Sequence, residues 1–87
     1  MGYEYPFVRN RPLGETQRLI LGALRRYANL PQEDLPLTIV RALVGADRSN
    51  FRRAVRTLQL RGLLEESEDG RRVRLTLTGA LAASSLA

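Results

Sequence analysis

The residues of this chain with the most distinctive chemistry are arginines, which concentrate in two short segments, 48–61 and 71–74. A guanidinium group is planar, permanently charged and able to form two parallel hydrogen bonds to a phosphate or to the O6/N7 edge of guanine. Every basic residue of the chain is an arginine. The two segments therefore predict a surface that binds a polyanion.

If residues 48–61 form a helix, the helix has two distinct faces. Four apolar residues have the i, i+3, i+4, i+7 spacing of a core-facing stripe: Phe51, Ala54, Val55 and Leu58. The opposite face and the helix N-terminus carry the candidate DNA contacts: Arg48, Ser49, Asn50, Arg52, Arg53 and Arg56. In a major groove, arginine can pair with guanine and asparagine with adenine, at roughly 1–3 kcal/mol for each good pair. A solvated surface helix is the alternative, although such a helix usually mixes charge signs more evenly.

Residues 63–68 and 71–77 have the pattern of two β-strands joined by a tight turn. In the second segment, valine and leucine alternate with arginine and threonine, which is a period of two residues. Asp69-Gly70 is a favoured pair for a two-residue hairpin turn. The sequence therefore predicts a β-hairpin directly after the arginine-bearing helix.

This turn would pair some hairpin arginines with acidic residues across the strands. Glu65 would lie opposite Arg74. Glu68 would lie opposite Arg71, and such ion pairs stabilise a hairpin without any ligand. Arg72 would have no acidic residue directly opposite, so it is the preferred hairpin contact to a phosphate or to a narrow minor groove. Arg74 is the second hairpin candidate.

The elements that must position these arginines follow from apolar spacing and turn residues. Helix 1 is expected over 15–27, and a short helix 2 over 37–44 after a short edge strand at 35–37. Gly45 suits the left-handed position that closes a helix. Asp47 suits the N-cap of helix 3, the arginine-bearing helix.

The first and last helices are defined by their apolar and capping residues. Helix 1 would pack on the core through one face, formed by Thr16, Leu19, Ile20, Ala23, Leu24 and Tyr27. Leu21 lies off this stripe and is expected to be exposed. Thr78 is expected to cap a last short helix that runs from Gly79 to about Leu86.

Composition narrows the classes of function. A chain of 87 residues can bury one small core, so one domain is expected. The formal charge of +5, from 14 basic and 9 acidic residues, favours a polyanionic partner over the alternative of a solvated basic surface. The absence of cysteine and histidine removes disulfides, zinc sites and the commonest general base. We therefore expect no enzyme activity, no metal and no cofactor.

The apolar pattern also bears on location. No apolar run approaches the ~20 residues of a membrane span, and the N-terminus lacks the charged-then-apolar order of a signal peptide. A cytoplasmic protein without membrane contact is expected, associated with the nucleoid if its source is prokaryotic.

Residues 1–13 are expected to form an N-terminal arm, because prolines and an asparagine interrupt regular structure there. Three aromatic residues of this arm would pack on the domain or on a partner subunit: Tyr3, Tyr5 and Phe7. Arg9 and Arg11 offer the alternative of reaching a DNA backbone or minor groove. Packing is the favoured interpretation.

Two stretches resemble the winged helix-turn-helix superfamily. DRSNFRRAVRTLQLRGLL, residues 47–64, resembles its recognition helix, in which a capped turn leads into a helix that ends at a glycine and two apolar residues. DGRRVRLTLTG, residues 69–79, resembles the wing and exit of MarR-type regulators. The resemblance implies an α+β winged helix-turn-helix domain over 14–87, with a three-helix core, a C-terminal β-hairpin wing and a short final helix.

The resemblance also implies a function. Such a protein would bind double-stranded DNA sequence-specifically, as a small transcriptional regulator with helix 3 in the major groove and the wing on the flanking backbone or minor groove. A homodimer is a further expectation, but the long MarR-type dimerisation helices have no counterpart here, so that dimer and its ligand pocket are not carried over.

Two alternatives stay open. The first is a winged helix that binds a protein partner in a transcription or replication complex, which the acidic hairpin residues favour: Glu65, Glu66, Glu68 and Asp69. The second is architectural or replication-related DNA binding with little sequence preference. Salt-sensitive binding to duplex DNA separates the first alternative from the leading hypothesis, because phosphate contacts release counterions.

Overall fold

The computed structural model of this chain describes residues 12–30 and 32–86. Within them the chain forms four helices and three short strands, in the order α1 (Glu15–Tyr27), β1 (Leu35–Pro36), α2 (Leu37–Val44), α3 (Arg48–Leu60), β2 (Leu64–Glu66), β3 (Arg72–Leu75) and α4 (Leu77–Ser84). The strands form one antiparallel sheet in the order β1-β3-β2, so β3 lies in the middle. The α+β class expected from the sequence is confirmed.

Helices α1 and α2 have the bounds that the sequence predicts, but the buried face of α1 matches the expected one only in part, through Ile20, Ala23 and Leu24. Leu21, expected to be exposed, is fully buried. Leu19 and Tyr27, expected to face the core, are 47% and 52% exposed. Because α1 contacts α2, α3, α4 and β3, its buried face is wider than one stripe and includes Ile20, Leu21 and Leu24.

The turn between α2 and α3 follows the prediction. Gly45 adopts a left-handed φ of 76°, and its N–H donates to a carbonyl of the last turn of α2. Asp47 is the N-cap of α3, because its Oδ1 accepts from the N–H of Asn50 at 2.9 Å. α3 ends at Leu60, one residue earlier than expected, because Arg61 serves as its C-cap.

The hairpin keeps the predicted register on shorter strands. Glu65 pairs with Arg74 across β2 and β3, as predicted. On its other edge β3 pairs with β1, where Leu35 lies opposite Val73. This third strand, anticipated only as a short edge strand, gives β3 a neighbour on both sides.

The turn of the hairpin differs from the expected one. The N–H of Gly70 donates to the carbonyl of Ser67 at 2.9 Å, so the central pair is Glu68-Asp69 and not Asp69-Gly70. Gly70 occupies the next position with a left-handed φ of 71°. The Asp69 carboxylate stabilises this arrangement by accepting from Ser67 Oγ at 2.6 Å and from the N–H of Arg71 at 3.1 Å.

The last helix begins earlier than expected, because Thr76 and not Thr78 is its N-cap. Thr76 Oγ1 accepts from the N–H of Gly79 at 2.9 Å and donates to the carbonyl of Gly62 at 2.6 Å. Gly79 lies against the main chain of Leu63, where a Cβ would overlap the carbonyl oxygen. α4 is therefore held close to the segment that joins α3 to β2.

The core lies between the helices and the inner face of the sheet. Its largest fully buried side chains are Ile20, Leu21, Leu24, Leu58, Val40 and Val73. None of the described helices combines the length and the apolar content that crossing a membrane requires. The predicted arm contacts lie outside the described residues: Tyr3, Tyr5, Phe7, Arg9 and Arg11.

Candidate nucleic-acid interface

The side of α3 that faces away from the core carries a cluster of arginines. Its inner stripe is buried as predicted: Phe51, Ala54, Val55 and Leu58. Its outer arginines are exposed: Arg48, Arg52, Arg53 and Arg56. Within the described part of the chain, none of these four side chains forms a hydrogen bond or an ion pair. Four permanently charged groups are therefore available to an external ligand.

These four arginines line an open groove, here called the α3 groove. Leu37, Thr38 and Arg41 of α2 line one side of it, and Glu66 and Gly70 of the hairpin line another. The fold thus places the arginine face of α3 between the start of α2 and the hairpin. Four of the site residues predicted from the sequence do not line this groove: Ser49, Asn50, Arg72 and Arg74.

Arg41 is a residue of the groove that sequence reasoning missed. Its Nε is shielded from solvent and has no hydrogen-bond partner within the described residues. Such an atom is uncommon in folded proteins, because burying a donor without an acceptor costs free energy. Arg41 follows Leu37 by four residues and therefore shares its helix face. That spacing could have indicated the site only if the position of α2 beside the α3 groove had been known.

Asn50 is partly committed to the cap of α3. Its Nδ2 donates to Asp47 Oδ2 at 2.9 Å, while its main-chain N–H donates to Oδ1 of the same carboxylate. The bidentate contact of asparagine with adenine uses both the amide nitrogen and the amide oxygen. The Asn50 side chain would therefore have to break its hydrogen bond to Asp47 before it could make this contact with adenine. Its neighbour Ser49 is exposed.

The structure gives Arg72 an acidic partner that the sequence did not predict. Its Nε lies 3.1 Å from Asp34 Oδ1, and its Nη2 donates to the carbonyl of Asp34 at 3.1 Å. No acidic residue faces Arg72 across the hairpin, as predicted, but the acidic partner comes from the segment before β1. Arg72 therefore supports the sheet and is not an unpaired contact residue.

Arg74 has the acidic partner that the register predicts. Its Nε donates to Glu65 Oε1 at 2.9 Å, and its Nη2 lies 2.9 Å from the same oxygen. Both side chains are about half exposed, so this pair contributes at most about 1 kcal/mol. The pairing also neutralises one of the four carboxylates of the hairpin.

Arg71 was expected to pair with Glu68, but the structure shows no such ion pair within the described residues. Its main-chain N–H donates to Asp69. The pKa of Asp69 is lowered below its ordinary value of 3.8. The main cause is the hydrogen bond from Ser67, and smaller causes are the hydrogen bond from the Arg71 N–H and the charge of Arg71. The Arg71 side chain is exposed at the hairpin tip. Because Arg72 and Arg74 are in ion pairs, Arg71 is better placed than either of them to bind an external anion.

The exposed arginines of α3 suit electrostatic binding of an anion. No group of three or more acidic residues in the described part of the chain is placed to hold a metal ion. Glu66 is the one carboxylate among the residues that line the α3 groove. Comparison of the chain with protein-family models, with curated proteins and with solved structures yields no match.

Proposed function

We propose that this chain is a winged helix-turn-helix protein that binds double-stranded DNA sequence-specifically and acts as a small transcriptional regulator. In this proposal α3 enters the major groove, and the hairpin is the wing that contacts the flanking backbone or minor groove. The observation that carries the proposal is the set of four exposed arginines on α3 without a partner in the described chain.

The order of the elements supports the proposal. Helices α2 and α3 are joined by the short turn from Gly45 to Asp47, and a two-stranded hairpin follows α3 directly. In helix-turn-helix proteins the N-terminal part of the second of these helices contacts base edges. Arg48 and Arg52 belong to that part of α3, and Arg56 lies one turn further on.

The structure changes the set of residues that we assign to DNA. From α3 we keep the predicted Arg48, Ser49, Arg52, Arg53 and Arg56. Arg71 replaces Arg72 as the hairpin contact, because Arg72 already contacts Asp34. Arg41 is added because a phosphate oxygen in the α3 groove would supply the acceptor that its guanidinium lacks. Asn50 remains a base contact only if it leaves Asp47.

The test is a fluorescence anisotropy titration of random duplex DNA at low and at physiological salt. We expect wild-type binding to weaken steeply with salt, because each phosphate contact releases condensed counterions. The Arg52→Ala/Arg53→Ala variant should lower the salt slope by about two and the affinity at least about tenfold. Both side chains are exposed, so circular dichroism should report an unchanged fold.

The matched control is the Arg25→Ala/Arg26→Ala variant. Both residues are exposed on the last turn of α1 and do not line the α3 groove. The two variants lose the same charge, so a general charge effect would weaken DNA binding equally in both. Equal losses, or normal binding by the Arg52→Ala/Arg53→Ala variant, would contradict the assignment of α3.

Sequence preference requires a second measurement. Selection of bound duplexes from a randomised pool should enrich guanine-containing sites, since arginine on α3 can make bidentate contacts to guanine O6 and N7. Each mismatch in an enriched site should cost about 1–3 kcal/mol of binding free energy. A pool that stays random after selection would favour architectural DNA binding with little sequence preference.

A second candidate function is favoured by one observation, the presence of Glu66 in the α3 groove. Together with the exposed Glu68, it places negative charge where a phosphate backbone would approach. A winged helix that binds a protein partner in a transcription or replication complex would use these carboxylates. The absence of any binding to duplex DNA at low salt would make this second function the better one.

A further inference from the structure

A second groove lies between α1, the end of α2 and the end of α4, here called the α1 groove. Apolar residues from all three helices line it: Leu19, Ala23, Tyr27, Leu43, Val44 and Ala83. No residue that lines it belongs to α3 or to the hairpin, and it shares no lining residue with the α3 groove. The two grooves are therefore separate surfaces of the same domain.

The apolar side chains of the α1 groove are only partly covered. Leu19, Tyr27 and Leu43 are 47%, 52% and 42% exposed, although all three line one depression. Single exposed apolar residues are ordinary in soluble proteins, but a contiguous group in a concave site is typical of a binding surface. The same exposure explains why the predicted core face of α1 was only partly correct, since Leu19 and Tyr27 line this groove and not the core.

The charged residues of the α1 groove all have one sign. Arg18, Arg25 and Arg26 line it, and no acidic residue does. The three arginines are exposed, and within the described chain their side chains form no hydrogen bond or ion pair. The groove therefore combines an apolar floor with unpaired positive charge.

We propose that the α1 groove binds an acidic amphipathic helix of a partner protein. An amphipathic helix lays its apolar face into a hydrophobic groove through anchors spaced i, i+3, i+4 and i+7. Carboxylates beside those anchors would meet Arg18, Arg25 and Arg26, which steers association and selects the partner. This proposal does not depend on DNA binding by α3.

A second copy of this chain fits the groove less well. In a two-fold symmetric dimer the same patch contacts itself, so the three arginines of one copy would approach those of the other. Like charges that approach each other within a desolvated contact are destabilising. Charge complementarity therefore favours an acidic partner over self-association.

The test uses a fluorescein-labelled designed helix with leucine and phenylalanine at i, i+3, i+4 and i+7 and alanine and glutamate elsewhere. A control peptide has the same composition with the apolar residues scattered over all faces. We expect the full chain to bind the amphipathic peptide at least about tenfold more tightly than the control, because burial of one leucine or phenylalanine already gives about 1.5–3 kcal/mol.

Two sets of variants locate the contact. Leu43→Ser and Tyr27→Ser should each weaken peptide binding about tenfold. Arg25→Ala/Arg26→Ala should weaken peptide binding several-fold and make it less dependent on salt than wild-type binding. Leu43 and Tyr27 are 42% and 52% exposed, and Arg25 and Arg26 are exposed as well. Folding should therefore be retained, as thermal melting by circular dichroism would verify. Arg52→Ala/Arg53→Ala should leave peptide binding unchanged while it weakens DNA binding.

Several outcomes would overturn the proposal. Equal binding of both peptides, or loss of binding in Arg52→Ala/Arg53→Ala instead of Arg25→Ala/Arg26→Ala, would show that the peptide binds as a general polyanion. A dimer in sedimentation equilibrium that Leu43→Ser abolishes would assign the groove to a second copy. A further variant replaces Tyr3, Tyr5 and Phe7 by serine. Much tighter peptide binding by this variant would show that the α1 groove is occupied by the N-terminal arm of the chain itself.

Discussion

Arg72 of β3 and Asp34 of the segment before β1 are joined twice. Arg72 Nε lies 3.1 Å from Asp34 Oδ1, and Arg72 Nη2 lies 3.1 Å from the Asp34 carbonyl oxygen. This contact connects the middle strand of the sheet to the loop that follows α1. The two adjacent arginines of the hairpin therefore have different surroundings. Arg72 is held by Asp34, whereas Arg71 forms no ion pair within the described residues and is exposed at the tip.

The first prediction separates these two arginines. Arg71→Ala should lower the slope of log affinity against log salt by about one, since it removes one phosphate contact. Arg72→Ala should leave the slope unchanged and reduce the free energy of unfolding by at most about 1 kcal/mol, because its ion pair with Asp34 is about half exposed. Anisotropy titrations and urea denaturation measure the two quantities. A slope that falls for Arg72→Ala and not for Arg71→Ala would restore the role first expected for Arg72.

The second prediction concerns the cap of α3. Asp47→Ala should destabilise the protein by about 0.5–2 kcal/mol, because the N–H of Asn50 loses its acceptor. Asp47→Ser keeps a capping oxygen and removes the negative charge beside the proposed DNA contacts. It should therefore retain stability and bind DNA more tightly than the wild type. Weaker DNA binding by Asp47→Ser would indicate that Asp47 holds Asn50 in a productive position.

Much of the fold could be predicted from local patterns. The bounds of α1 and α2, the left-handed Gly45 and the Asp47 cap all depend on spacing or on interactions between residues close in the chain. The register that pairs Glu65 with Arg74 is also local, although the turn is centred on Glu68-Asp69 and not on the predicted Asp69-Gly70. These features follow from the sequence because no distant residue is needed to specify them.

The features that sequence reasoning missed depend on contacts between distant segments. Leu21 is buried because α1 has neighbours on several sides, and periodicity along α1 alone does not contain that information. Asp34 reaches Arg72 only because β1 pairs with β3. Arg41 joins the α3 arginines only because the tertiary fold brings α2 and α3 to the same groove. The arginine face of α3 was predictable from its helical spacing, whereas the rest of the groove required the tertiary structure.

The third prediction tests the close approach of α4 to the chain before β2. Gly79→Ala should destabilise the protein by about 1–3 kcal/mol, because the new Cβ would overlap the carbonyl oxygen of Leu63. Gly22→Ala is the matched control, since Gly22 also lies within a helix. No atom of another segment lies within 4 Å of the position that its Cβ would take. Gly22→Ala should stabilise α1 by about 0.5–1 kcal/mol. Urea denaturation of both variants checks the pair, and tolerance of Gly79→Ala would contradict the packing of α4.

The fourth prediction concerns pH. Hydrogen bonds from Ser67 and from the N–H of Arg71 lower the pKa of Asp69 in the folded state. Between the folded and the unfolded pKa of Asp69, the unfolded state therefore binds more protons than the folded state. The contribution of the Asp69 carboxylate to stability is thus present above the ordinary value of 3.8 and is lost as pH falls through the lower folded pKa. The difference in unfolding free energy between wild type and Asp69→Asn should be constant at neutral pH and shrink in acid. A difference that stays constant through the acid range would show that Asp69 has no such shift.

The last prediction uses the unusual environment of Arg41. Its Nε is shielded from water without an acceptor in the described chain, and burial of an unsatisfied donor costs about 1–3 kcal/mol. Arg41→Met keeps a long side chain and removes this donor, so the free energy of unfolding should stay the same or rise. DNA affinity should nevertheless fall about tenfold if Arg41 binds a phosphate that supplies the missing acceptor, since hydrogen bonds to charged groups contribute about 1.5–3 kcal/mol.

The two measurements on Arg41→Met distinguish a binding residue from a structural one. A stable variant with weak DNA binding would place Arg41 in the interface, where its cost to folding is offset only when the ligand is bound. A clearly less stable variant with normal DNA binding would show that Arg41 supports the folded structure and does not bind DNA in the α3 groove.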